Sequence, residues 1–284
     1  IHSFKHLTKH ILGKLEFSFT SFFHKPSELL VLNYHSTPER FIGSFEDQLD
    51  FIADNFNIIS PGEIEKYLNG SLVSVKPIAL FTFDDGLKNN LYAYQILKKR
   101  NIKSVFFIVP GFIETEPSHQ KEYYLKNIRN IINTRTDNKN EDFTAMTWQD
   151  LKTLAQEGNE IGSHSFSHTL VSSENNKKKS EHEIIGSKFR IEETLGIHVQ
   201  SFCGPNNSLL SIGKEEIKLI RSNYKYLYST IPGSNINTNS FFIKRSNVEI
   251  FWMWGSFLNS IGNWDRIRWK EKIMVFQTLI NQSG

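Results

Sequence analysis

Two adjacent carboxylates, Asp84 and Asp85, end the apolar run "KPIALFTFDDG" and are followed at once by Gly86. Side by side they repel, and a cation between or beside them would relieve the repulsion and hold one of them ionised. They could equally cap the following helix through its first amides. Four residues apart in "GSHSFSH", His164 and His168 can converge on one ion from a helical turn or a curled loop, and neutral imidazole suits zinc and similar divalent metals. Two histidines with an aspartate make a more specific ligand set than either pair alone. Polar residues also stop other apolar runs: Tyr34 and His35 after "ELLVLN", and the segment around Pro205 in "FCGPNNS".

These groups can meet only if the runs that they terminate lie side by side. From residue 29 onward, apolar runs alternate with amphipathic segments, a pattern that predicts parallel strands with outer helices, an α/β fold curled into a closed or nearly closed barrel. Chemistry in such a fold collects at the C-terminal strand ends, where Tyr34, His35, Asp84, Asp85, His164, His168 and Pro205 would share a mouth. "SFEDQLDFIADNF" predicts a helix capped by Ser44, and "SPGEIEKYLNG" one capped by Ser60 with Pro61 in its first turn and Glu63 at the capping-box position. "FFIKRSNVEI" reads as a strand, and "NTRTDNKNED" and "SSENNKKKS" as solvated loops.

At 284 residues and 39% hydrophobic, the chain is long enough for one barrel-sized domain, assigned to 29–284, behind an N-terminal helical extension, 1–28. A formal charge of +3 is too small and dispersed to argue for a nucleic-acid partner. One cysteine, Cys203, excludes an intramolecular disulfide. No apolar run reaches the ~18 to 20 residues that cross a bilayer. The extension mixes basic residues with Phe, Leu and Ile, which predicts a helix packed on the domain, with peripheral membrane contact as the alternative. His2, His6, His10 and His24 are read as surface residues. The expected location is cytoplasmic or membrane-peripheral, with a trimmed N-terminus.

"FTFDDG", followed about eighty residues later by "HSFSH", resembles the first two motifs of the polysaccharide deacetylases, the NodB-homology or carbohydrate esterase 4 family. The stretches "KSVFFIV" and "MTWQDLKTLAQEGNEIGSHSFSH" fit as well, so the resemblance spans roughly 29–250. It implies a distorted (β/α)7-type barrel, with Asp84 as general base and Asp85, His164 and His168 as ligands of a divalent metal. Zinc is the first choice, with cobalt, nickel or ferrous iron as alternatives. The family's third motif, Arg-x-Pro-Tyr, appears here as "CGPN": Cys203 stands in the arginine's place, Pro205 is kept, and Asn206 replaces the tyrosine. Pro205 and Asn206 are the expected source of a backbone donor for the oxyanion. Arg245 in "FFIKRSNVE" is the substitute for orienting Asp84, as in members that resemble the poly-N-acetylglucosamine deacetylases.

The family's C-terminal Leu-x-His is absent, since no histidine follows His198. In the same circularly permuted branch the histidine sits on the first strand in a Tyr-His pair, which makes His35 the implied general acid. The implied substrate is an acetylated sugar or polysaccharide, N-acetyl before O-acetyl, within a bacterial surface-polysaccharide pathway. An insertion around 114–145 would line the mouth, and Trp148, Trp252 and Trp254 are read either as a sugar-stacking surface or as core. Two rival functions remain: a catalytically silent glycan-binding relative, and a non-haem iron oxygenase, which would use the same two-histidine, one-carboxylate set.

Overall fold

The computed structural model describes residues 24–129, 143–172, 176–205, 212–233, 235–236, 241–262 and 270–282. Its elements run β1 (Leu29–Tyr34), α1 (Ile42–Asn55), β2 (Asn57–Ile58), α2 (Ile64–Leu68), β3 (Ile78–Phe83), α3 (Asn90–Lys99), β4 (Val105–Ile108), α4 (Pro110–Ile113), α5 (Pro117–Tyr123), α6 (Trp148–Gln156) and β5 (Glu160–Ser163). The second half continues with α7 (Lys177–Glu181), α8 (Ser187–Leu195), β6 (Ser201–Cys203), α9 (Lys214–Asn223), β7 (Tyr226–Tyr228), β8 (Phe242–Ile243), β9 (Ser246–Asn247), α10 (Trp254–Ile261) and α11 (Lys270–Gln282).

The strands pair in parallel in the order β8, β7, β6, β5, β4, β3, β1, β9, with β2 added at the start of β3. Only Lys244 and Arg245 separate β8, which pairs with β7, from β9, which pairs with β1. The sheet therefore curls back on itself as the distorted barrel that the alternation predicts. "FFIKRSNVEI", expected as a single strand, is instead broken at Lys244–Arg245, because the chain changes partner there. Asn235 stitches this seam: its Nδ2 donates to the carbonyls of Leu29 (3.1 Å) and Lys244 (2.9 Å), and its Oδ1 accepts from the Lys244 amide (2.9 Å).

Strand residues alternate between two apolar clusters. Leu29, Val31, Ile78, Leu80, Val105, Phe107, Cys203, Tyr228 and Ile243 meet inside the barrel. Leu30, Leu32, Tyr34, Ala79, Phe81 and Phe83 pack outward beneath the helices. Burial on both faces is why these strands read as continuous apolar runs.

Several local expectations are corrected. A 3₁₀ turn, Glu39–Phe41, leads directly into α1 at Ile42, so Ser44 lies inside the helix and does not cap it. The Ser60 box does form, with the Ser60 amide donating to Glu63 Oε2 at 2.8 Å. The lysine run of "SSENNKKKS" is helical in α7, because Asn176 Oδ1 accepts from the Lys179 amide (2.9 Å) and caps it. His24 is buried rather than on the surface: its Nε2 donates to the Ile261 carbonyl (2.6 Å) at the end of α10, and its ring packs edge-on to Phe56. The other extension histidines and "NTRTDNKNED" lie outside the described residues. Among the described residues no helix is long and apolar enough to cross a membrane.

Candidate metal and acid–base site

Register brings the first two groups together. Tyr34 lies opposite Phe83 in the β1–β3 pairing, and the Asp84 amide donates to the Tyr34 carbonyl (2.8 Å), so His35 and Asp84 emerge side by side. Alternation sends Asn33, Thr82 and Asp84 toward the barrel axis. Asp85 would point outward on a continuing strand, but its left-handed φ of 73° swings the second carboxylate back to the mouth. Gly86 repeats the left-handed turn at φ 72°, and a Cβ there would press on the Ile108 side chain at 3.4 Å. Neither aspartate caps α3, which begins only at Asn90.

Asp84 is instead gripped by Arg245, whose Nη1 donates to Oδ1 (2.7 Å) and Nη2 to Oδ2 (2.9 Å). Asn33 Nδ2 adds a third bond to Oδ2 at 3.0 Å, while Asn33 Oδ1 and Thr82 Oγ1 accept from Arg245 Nη1 (2.8 and 3.1 Å). Burial alone would raise the pKa of Asp84. The Arg245 guanidinium, with His164 and His35 behind it, overrides that and holds the carboxyl well below the usual range. Cys203, where the family pattern has arginine, accepts from Arg245 Nη2 at its sulfur (2.7 Å). Burial pushes this thiol far up, so it stays protonated and its small side chain leaves room for the guanidinium.

On the other side of Asp84, Asp85 Oδ1 lies 3.5 Å from His164 Nε2 and 3.4 Å from His168 Nε2. Each imidazole has its other nitrogen committed: Nδ1 of His164 donates to the Cys203 carbonyl (2.8 Å), and Nδ1 of His168 to the Asn127 carbonyl (2.9 Å). A carbonyl can only accept, so each Nδ1 carries its hydrogen away from the centre and each Nε2 faces Asp85. Burial is the main reason that His164 titrates low, at about 4, and is neutral near pH 7. Asp85 Oδ1 is buried without a hydrogen-bond partner. Asp85 Oδ1 and the two Nε2 atoms thus converge within ligand reach of one another, an arrangement that a divalent cation would satisfy. Asp84, His164 and Cys203 form a second close group, but the Arg245 guanidinium already occupies its carboxylate and its sulfur and would repel a cation. Left-handed backbone collects at this centre, at Asp85, Ser165 (φ 60°) and His168 (φ 61°).

His35, 28% exposed, places Nε2 4.0 Å from Asp84 Oδ2 and Nδ1 3.2 Å from Glu249 Oε1. Burial works against a charged imidazole here, yet Glu249, helped by Asp85 and Asp84, more than offsets it and raises the pKa to about 9. The sequence reading missed Glu249. Its one signal is register: Asn33 pairs with Asn247, which brings residue 249 level with residue 35. Gln48 secures the segment, accepting from Tyr34 Oη (3.1 Å) and donating to the Glu249 carbonyl (3.3 Å).

A family model, polysaccharide deacetylase, matches residues 73–221. The chain belongs to the polysaccharide deacetylase family. The matched stretch holds Asp84, Asp85, His164, His168 and Cys203, whereas His35, Arg245 and Glu249 lie outside it. Among solved structures, Streptococcus pyogenes deacetylase PplD in complex with acetate is 18% identical, covering 83% of this chain and 99% of that one with a TM-score of 0.62. IcaB from Ammonifex degensii is 20% identical over 84% of this chain and 97% of its own, with a TM-score of 0.61. The BpsB deacetylase domain from Bordetella bronchiseptica is 18% identical over 78% and 96%, with a TM-score of 0.59. At these identities the likeness is one of fold. No curated protein matches the chain.

Other site expectations for this family member fare unevenly. Pro205 is buried just beyond β6, and Asn206 lies outside the described residues. All three tryptophans are half-buried: Trp148 and Trp254 pack against the core, Trp254 between Phe51 (5.4 Å) and Phe257 (5.1 Å). The insertion is partly helical: α5 runs into a π-helical turn, Tyr124–Ile128, which supplies the Asn127 carbonyl under His168.

Proposed function

We propose that the protein hydrolyses the N-acetyl group of a sugar or polysaccharide, releasing acetate and a free amine. What carries this is the orphaned buried Asp85 Oδ1 faced by two imidazole Nε2 atoms, with a guanidinium-held carboxylate on one side and a protonated imidazole beyond it. Asp85, His164 and His168 would hold a divalent ion, zinc first, with cobalt, nickel or ferrous iron as alternatives. That ion, when bound, polarises the acetyl carbonyl and acidifies the attacking water.

Asp84 takes the proton of that water. Its two oxygens are fixed by Arg245 and Asn33, so it enters the step ionised and aimed. His35, held as imidazolium by Glu249, gives its proton to the departing nitrogen as the C–N bond breaks, so that the sugar leaves as a neutral amine. We assign oxyanion donation to the backbone N–H of Asn206, which follows Pro205, on the sequence pattern alone. The test is acetate release by the zinc-loaded protein from a panel of N- and O-acetylated sugars. Turnover that disappears in Asp85→Ala is expected; a metal-loaded wild type that frees no acetate from any of them would sink the proposal.

A further inference from the structure

The turn that carries both histidines is strained, and something must hold it. Ser165 and His168 both adopt left-handed backbone, at about 1–2 kcal/mol per residue for a side chain other than glycine. The restraint comes from a second π-helical turn, His182–Gly186, set between α7 and α8. From that turn Glu183, 3% exposed, accepts three bonds: Ser167 amide to Oε2 (2.9 Å), Ser167 Oγ to Oε1 (2.6 Å), and Phe166 amide to its backbone carbonyl (3.1 Å). Tyr123 Oη donates to the Ser167 carbonyl from the other side (3.2 Å). His168 is thus pinned between two π-helical turns, by Asn127 at its ring and by Glu183 through the preceding residue. Such turns expend regular hydrogen bonding and gather at functional sites.

No Lys, Arg or His among the described residues pairs with Glu183, and both of its carboxyl oxygens accept from Ser167. A buried carboxylate without a counter-ion is costly. The two bonds its carboxyl accepts from Ser167 offset that cost, and both hold the turn that carries His168.

We propose that Glu183 is the positioning residue of the metal site, clamping the 164–168 turn so that His168 meets the ion. This rests on the metal site proposed above, and the measurement separates the two. Zinc affinity is read by chelator competition on purified protein, together with the melting temperature of the metal-free form. Outer partners of metal ligands typically change affinity by about 10- to 100-fold. Glu183→Gln, which keeps one of the two acceptor oxygens, is expected to bind zinc about tenfold more weakly; Glu183→Ala, which keeps neither, should approach a hundredfold loss. Wild-type affinity in Glu183→Gln overturns the proposal even if Glu183→Ala fails to fold. A lower metal-free melting temperature with unchanged affinity in Glu183→Ala also overturns it, marking a residue of the fold alone. A wild type that binds no zinc overturns the metal site itself.

Discussion

Arg245 and Asp84 meet through two parallel bonds, Nη1 to Oδ1 at 2.7 Å and Nη2 to Oδ2 at 2.9 Å, with both side chains buried. Removing one partner leaves the other as an uncompensated charge in the barrel. Arg245→Met should therefore cost about 3–5 kcal/mol of unfolding free energy in urea titrations. Arg245→Lys keeps the charge but loses the planar fork, and is expected to preserve more stability than turnover. The depressed pKa of Asp84 also sets a sign: its contribution is present above the ordinary carboxylate range and vanishes only as pH falls into strong acid. In Arg245→Met that loss should move up toward ordinary carboxylate values.

His35→Ala removes the proposed proton donor. Turnover of an N-acetyl substrate should fall by about 10²- to 10⁴-fold with little change in zinc affinity. An ester whose leaving alkoxide is less demanding should lose less, and equal losses on both would argue against the acid role.

The raised pKa of His35, about 9, places the alkaline fall of kcat/KM near that pH in the free enzyme, since the proton donor is lost above it. Glu249→Gln withdraws the acid that raises it, so the fall should move toward the ordinary imidazole value of 6.5. Stability follows the same direction. The His35–Glu249 pair contributes fully below about 6.5 and is lost as pH rises through about 9, a dependence that the variant should not show.

Metal binding and turnover should separate along the Asp84–Asp85 boundary. Asp85→Ala and His168→Ala are expected to abolish stoichiometric zinc binding in calorimetry, whereas Asp84→Asn should bind zinc and fail to turn over. A chelator should silence the wild type reversibly, and zinc should restore it.

The metal and base candidates were legible because each stands at the end of an apolar run, and strand alternation with parallel pairing fixes where such residues go. Arg245 was legible only through the family resemblance, since Lys244 beside it is equally cationic and the expected strand breaks at that pair. Glu249 was not, because its approach to His35 depends on a short strand, β9, that changes partner two residues earlier. The supports of His168 and His164 are backbone carbonyls of Asn127 and Cys203, and a carbonyl leaves no residue type to read. Ser44 failed as a cap because a 3₁₀ turn supplied an earlier helix start, and His24 failed as a surface residue because a segment distant in sequence, α10, covers it.

The seam at Lys244–Arg245 also imposes an order in time. A chain leaves the ribosome from its N-terminus, so Asp84, Asp85, His164 and His168 all exist before the residue that closes the barrel. Residues 246–247, next in the chain, pair with β1, so the segment that closes the ring is the one that brings the guanidinium to Asp84. Of Asp84, Asp85, His164, His168 and Arg245, the arginine is made last.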